Sequence, residues 1–226
     1  MNISQREWDS YWEQQSSVTK TYGKIASIYR KFIIPRSLIK TLNLKLDPSS
    51  RLLHAGAGGG EVDVALAPSW NLFSIDYSFR ATIQHRAVHF NAGSEDLIAQ
   101  ADIFNLPFSN NTFDAVFNLG VMEHFSDDEI VNALKEFNRV IRVGGVIILY
   151  WPPIWGLSVM VLRLAKFVLQ LERRKQISLY PPEINLVKSR RRCERWISEA
   201  DLSLEQFSFG VGDFFTHQIV IARKIK

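Results

Sequence analysis

Arg51-Leu52-Leu53-His54-Ala55-Gly56-Ala57-Gly58-Gly59-Gly60-Glu61 is the stretch from which the rest of this chain can be read. Arg51 to Ala55 has the length and apolar centre of a short strand. Gly56 to Gly60 follows without a spacer, and Glu61 to Ala67 has the pattern of a helix start. Glycines at such a junction let the backbone turn sharply and approach a ligand closely. A helix start beyond them adds unpaired N–H groups and a positive dipole end. Taken alone, the stretch reads equally well as a tight strand-to-helix turn or as a ligand loop.

Downstream, the same alternation repeats. Leu72 to Asp76 predicts a second strand, Phe79 to Phe90 a helix and Asp96 to Ala101 a third strand. Ser109-Asn110-Asn111 signals a turn before a fourth strand, Ala115 to Leu119. Asp127 to Ile141 predicts a helix, because Ile130, Leu134, Phe137, Val140 and Ile141 share one face and Gly144-Gly145 follows as its stop. Val146 to Trp151 is an unbroken apolar run, as expected of a strand buried on both faces. Strands and helices alternating at these lengths predict a parallel, doubly wound α/β sheet. Leu204 to Phe209 and Gln218 to Arg223 have no helix between them and predict an antiparallel hairpin at the sheet edge. That makes a seven-stranded sheet.

Upstream, the first fifty residues read as helical. Trp8, Tyr11 and Trp12 fall on one helical face. Ile25, Ile28, Tyr29, Phe32 and Ile33 continue at helical spacing until Pro35, and Leu38, Ile39, Leu42 and Leu46 form another helix closed by Asp47-Pro48. The expected organisation is one domain over 1–226. It comprises a helical cap (1–48), a core (50–151), a helical insertion (152–188) and a closing helix with the hairpin (189–226).

Composition is that of an ordinary globular protein: 226 residues, 46% apolar and 22% charged, with a net charge of +4. So mild a charge says little about nucleic acid or membranes. Cys193 is the only cysteine, so no intrachain disulfide can form. The polar start, Asn2 to Glu13, lacks the apolar stretch of a secretory signal, and the expected location is the cytoplasm. The five histidines are scattered without ligand spacing, and no metal site is expected.

Asp76 ends the second strand, twenty positions after Gly56. An acid there can accept hydrogen bonds from both hydroxyls of a ribose. Nicotinamide and S-adenosylmethionine enzymes both use that device. The dinucleotide pattern G-x-G-x-x-G wants glycine or alanine at position 61, where this chain has Glu61, a poor neighbour for a pyrophosphate. A sulfonium cofactor without phosphate tolerates nearby acids.

Gly56-Ala57-Gly58-Gly59-Gly60, Asp76, Asp102, Leu106-Pro107-Phe108, Phe113-Asp114, Val121-Met122-Glu123-His124 and Arg142-Val143-Gly144-Gly145 occur in order. Over residues 50 to 150 the chain resembles the class I S-adenosylmethionine-dependent methyltransferases, in particular the group that includes the ubiquinone and menaquinone methyltransferases. The resemblance implies a Rossmann-like fold with S-adenosylmethionine as cofactor and S-adenosylhomocysteine as product. It implies that Gly56, Ala57, Gly58 and Gly60 pass under the methionine portion. Asp76, with Tyr77 beside it, would hold the ribose. Asp102 would meet the adenine amino group, Ile103 would pack on the ring, and Asn118, Leu119 and Gly120 would floor the site near the transferable methyl. Position 54 is usually Asp or Glu in that family. His54 departs from it, and reads either as a neutral imidazole bonding the loop or as a core histidine.

Methyl transfer from a sulfonium is an in-line displacement that rests largely on positioning. A hydroxyl or amine acceptor also needs a base. His124 follows the fourth strand at the carboxyl edge, where such sheets hold ligands, and is the candidate base. The alternative is that Glu123 and His124 only begin a loop. Trp151-Pro152-Pro153-Ile154-Trp155 resembles the Asn/Asp-Pro-Pro-aromatic motif of nucleic-acid and protein amino-methyltransferases. It follows the fifth strand rather than the fourth, however, and reads as a rigid turn.

Ile154 to Leu171 is apolar except for the stripe Arg163, Lys166 and Gln170, an amphipathic helix rather than a membrane span. Arg173, Arg174, Lys175, Lys188, Arg190, Arg191, Arg192 and Arg195 follow it. Lid over an acceptor pocket, peripheral membrane contact through 154–171 and the basic cluster, and plain packing are the three readings. The N-terminal aromatics read as site closers or as core. The expected function is methyl transfer to a hydrophobic or amphiphilic small molecule, O-methylation favoured. No nucleic-acid partner is expected. A non-catalytic binding protein and a nucleic-acid methyltransferase are the alternatives.

Overall fold

The computed structural model of the protein describes residues 4–15, 29–94, 97–154, 156, 183–210 and 215–226. Most of the predicted insertion helix (154–171) and Arg173, Arg174, Lys175 and Trp155 lie outside them.

Seven strands form one sheet: β1 (Arg51–Ala55), β2 (Asn71–Asp76), β3 (Ile98–Gln100), β4 (Phe113–Leu119), β5 (Ile141–Trp151), β6 (Leu202–Ser208) and β7 (Gln218–Lys224). Their order is β3-β2-β1-β4-β5-β7-β6. The first five are parallel, and β7 is antiparallel to both β5 and β6. The expected hairpin therefore pairs as read, and its second strand inserts between β5 and its own partner.

The described helices are α1 (Gln5–Gln15), α2 (Ile34–Lys45), α3 (Asp63–Leu66), α4 (Phe79–Ala92), α5 (Asp127–Val140) and α6 (Arg190–Glu199). They sandwich the sheet, and β5 explains why. Val146, Ile148 and Tyr150 pack on one face with Leu38 and Leu42 of α2 and Leu66 of α3. Ile147, Leu149 and Trp151 pack on the other with Leu134 and Phe137 of α5 and Trp196 of α6. A strand with two buried faces has no polar side to show, hence its continuous apolar run. Burying each such side chain contributes about 2 kcal/mol. α5 starts on a capping box, in which both the backbone N–H and the hydroxyl of Ser126 donate to Glu129 at 2.8 Å.

Three predicted boundaries are corrected. The helix expected over Glu61 to Ala67 is only the single turn Asp63–Leu66. Pro68 lacks the N–H that would extend it. So short a turn contributes little dipole, and the glycine loop relies on its own backbone. α5 ends at Val140, not at Ile141, and Gly144-Gly145 lies inside β5. There the register with β4 jumps from Phe113↔Ile141 to Ala115↔Val146, a bulge that Gly144 enters at φ 80°. Pro35 does not end a helix but stands in the first turn of α2, directly after a π-helical turn, Tyr29–Ile33.

Candidate functional site

The carboxyl ends of β1, β2 and β4 open onto a cavity of about 220 Å³. A parallel sheet places ligands at this edge because its loops all leave there. Gly56, Ala57, Gly58 and Gly60 border the cavity, as do His54, Asp76, Tyr77, Asp102, Ile103, Leu119, Gly120 and His124. Asn118 does not. It is buried, and its amide donates to the carbonyl of Ala55. Strand alternation turns it from the floor that Leu119 and Gly120 form, and it braces the glycine loop from behind.

Gly58 and Gly60 are two of the loop glycines at which a side chain would be strained. Gly58 has φ 56° and Gly60 φ 77°, in the left-handed region. A Cβ at Gly60 would stand 2.7 Å from the ring of His85, and one at Gly58 would stand 2.8 Å from the ring of Trp12. The loop is thus wedged between α4 and the N-terminal helix.

Asp76 accepts the backbone N–H of Gly58 on one carboxylate oxygen and that of Ser78 on the other, each at 2.8 Å. Burial raises its carboxyl above the ordinary value despite those bonds. Each oxygen keeps a further lone pair for a ribose hydroxyl. Asp102 accepts the N–H of Phe104 at 2.9 Å. That arrangement leaves acceptor capacity for an amino group, with Ile103 beside it on the cavity wall.

The N-terminal helix closes the cavity. Trp8, Tyr11 and Trp12 line it. Asp9 accepts from the hydroxyl of Ser78 and from the N–H of Arg80 at 3.2 Å, and Glu13 pairs with Arg80 at 2.8 Å. α1 is thereby fastened to the start of α4, next to Asp76. The π-helical turn adds Arg30, which lines the cavity and meets Glu61 at 3.6 Å. Sequence reasoning missed Arg30, Phe104 and Phe125, which also border the space. Arg30 gives no sequence signal because its partner lies across a chain reversal.

His124 is buried, with its ring edge-on to Trp8 at 5.2 Å. Its Nε2 lies 3.9 Å from Glu123 Oε1, beyond hydrogen-bond reach. Burial pushes the Glu123 carboxyl up to about 8, and Glu183 adds to the rise. The Glu123 carbonyl accepts from Ile184 at 2.7 Å and Asn185 at 2.9 Å. Val187 pairs with Pro153. The chain just after residue 182 is therefore anchored at Glu123 and Pro153.

His54 is held away from solvent: its Nδ1 lies 2.7 Å from Asp63 Oδ1, and Phe117 stacks on its ring at 4.3 Å. Among the described residues no group of three or more His, Cys, Asp or Glu could hold a metal. No described helix is long and apolar enough to cross a membrane. In the described part of the basic cluster, Arg192 and Arg195 each reach Asp127 at 2.6 Å and Arg190 reaches Glu194 at 2.8 Å. Trp151 is core and stacks on Trp196 at 5.1 Å.

Residues 53–149 match the family described as a methyltransferase domain. The chain is 38% identical over 69 residues to a Mus musculus protein named "Probable tRNA methyltransferase 9B", covering 30% of this chain and 14% of that protein. It is 31% identical over 114 residues to the Oryza sativa cycloartenol-C-24-methyltransferase 1, covering 48% of this chain and 32% of that one. The chain spans less than half the length of these curated relatives. Among solved structures, the magnesium protoporphyrin IX methyltransferase of Synechocystis, with S-adenosylhomocysteine bound, has the same fold. Its TM-score is 0.63 at 15% identity, over 95% of this chain and 93% of that one. Residues 53–149, less than half of the chain, thus match a methyltransferase domain, and the fold is that of solved S-adenosylmethionine-dependent methyltransferases. The acids and glycines of its cavity fit that cofactor, and Glu61 opposes a pyrophosphate.

Proposed function

We propose that this protein transfers a methyl group from S-adenosylmethionine to the oxygen of a hydrophobic or amphiphilic small molecule. One observation carries the reading. One cavity is lined both by glycines, Asp76 and Asp102 and by Trp8, Phe104, Phe125 and His124. The first group suits an adenosyl moiety and the second an apolar acceptor with one proton to lose.

The cofactor, when bound, supplies a methyl already activated by positive sulfur. The chain's residues do the rest. Asp76 and Asp102 fix the adenosine end. Leu119 and Gly120 set the floor. Trp8, Tyr11 and Trp12 exclude water, which favours displacement by the acceptor over solvolysis. His124, edge-on to Trp8, takes the acceptor's proton, an effect worth about 10²–10⁴ in rate. A lid role over the acceptor for the insertion, residues 152–188, is part of this proposal. A cytoplasmic location, with membrane contact through residues 154–171 as an addition, belongs to the same proposal.

The likeness to a tRNA methyltransferase favours a nucleic-acid substrate, but it is short. The pairing of Arg190, Arg192 and Arg195 with acids weighs against an open phosphate-binding face. The test is transfer of labelled methyl from S-adenosylmethionine to hydroxylated quinols, lipids and sugars, and to tRNA. Methylation of apolar hydroxyls alone is expected. Label in tRNA alone would overturn the proposal.

A further inference from the structure

From Gln14 to Leu46 the chain has no aspartate or glutamate. The same 33 residues hold seven of its 27 lysines and arginines, so the remainder of the chain is net acidic. A stretch of one sign attracts a partner of the other. Its described part is the π-helical turn Tyr29–Ile33 and α2, Ile34–Lys45.

The two sides of α2 differ. Ile34, Leu38 and Leu42 are buried in the core layer that holds Leu66 of α3 and Ile148 of β5. Phe32, Arg36, Lys40 and Leu44 follow one another at intervals of four and are all exposed. Residues so spaced share one side of a helix. Phe32 is 54% exposed and Leu44 is 72% exposed, with the cationic pair between them. Arg30 meets Glu61 at 3.6 Å and Lys45 meets Glu205 at 2.5 Å. Among the described residues no acid pairs with Lys31, Arg36 or Lys40. The arginines of α6 contrast with them, since Arg190, Arg192 and Arg195 are each held by an acid.

Unpaired cations interleaved with exposed Phe and Leu suit a helix lying in an anionic lipid interface. With 12 residues α2 is too short to cross a bilayer, which takes about twenty, and long enough to lie along one. A nucleic-acid backbone would use the cations but offers nothing to Leu44. The face also lies near the site. Arg30 and Ile34 line the cavity, and Phe32 stands between them in the chain.

We propose that the outer side of α2 docks the protein on an anionic lipid surface, so that a lipid-borne acceptor enters the cavity past Phe32. The entry route rests on the amphiphilic-acceptor reading above, whereas the docking stands without it.

Sedimentation of the full chain with vesicles tests this, using phosphatidylcholine alone and phosphatidylcholine with about one-third phosphatidylserine. The wild type should bind the mixed vesicles alone and lose them as salt rises. Arg36→Gln with Lys40→Gln should weaken binding by at least about 25-fold, the effect of removing two cations from such a surface. Phe32→Ser with Leu44→Ser should weaken it by at least about tenfold with every charge in place. Lys188→Gln with Arg191→Gln removes as much charge elsewhere and should leave binding within about twofold. Each variant should keep wild-type affinity for S-adenosylhomocysteine, which reports an intact fold. Absence of wild-type binding to the mixed vesicles would overturn the inference, as would equal binding by the α2 variants. Loss confined to the Lys188 and Arg191 variant, or binding of tRNA in place of vesicles, would overturn it too. Vesicle binding without methyl transfer to any lipid-borne hydroxyl would remove the acceptor reading instead, a result distinct from these.

Discussion

The indole of Trp12 lies on the backbone of Gly58, so closely that a Cβ there would stand 2.8 Å from the ring. The glycine is therefore as much a seat for the N-terminal helix as a turn in the loop. Trp12 closes the loop from above, and Asp9 fastens the helix at the start of α4.

Gly58→Ala should act on both functions of that contact. Alanine at φ 56° costs about 1 kcal/mol of backbone strain. Its methyl would also lift Trp12. We expect S-adenosylhomocysteine affinity to fall by at least about tenfold, the effect of about 1.4 kcal/mol. Amide exchange over residues 5–15 should quicken. Unchanged protection of α1 would contradict the packing described.

Glu123 makes stability depend on pH in a direction unusual for a carboxylate. Its carboxyl titrates at about 8 when folded, against 4.5 unperturbed. Between those values the folded state keeps a proton that the unfolded state has released, so stability falls as pH rises. The slope is at most about 1.4 kcal/mol per pH unit, and the dependence flattens below the lower value and above the upper. Glu123→Gln should flatten the whole range and stabilise the protein near pH 8. Urea midpoints at about pH 5.5 and about pH 8, for both proteins, measure this. A wild type equally stable at both would refute it.

His124→Ala tests the base. With an apolar hydroxyl acceptor, kcat should fall about 100-fold or more, while cofactor Kd stays within about threefold, since His124 lies on the acceptor side. A matched loss of cofactor affinity would make His124 a packing partner of Trp8 instead.

Much of this was legible in the sequence because period and spacing carry it. Arg51 to Ala55 reads as a strand from length and apolar centre, and β1 has those bounds. Asp76 and Asp102 fall at strand ends, which a count along the chain can locate. The roles of Asn118 and Asp63 were not legible. Asn118 looks like its neighbours until the carbonyl of Ala55 is placed beside it. Asp63 reads as a helix-start acid, and only the packing of β1 against the turn after the loop brings it to His54. Arg30 met Glu61 for the same reason. Gly144-Gly145 misled because a glycine pair stops a helix and makes a bulge with equal ease.

The central claim is that the glycine loop and Asp76 bind S-adenosylmethionine. Calorimetric titration of the wild type and of Asp76→Ala with S-adenosylmethionine and S-adenosylhomocysteine tests it most directly. The account predicts micromolar binding by the wild type and a loss of about 100-fold or more in the variant, the effect of about 2.7 kcal/mol. Absence of wild-type binding, or equal binding by Asp76→Ala, would contradict it.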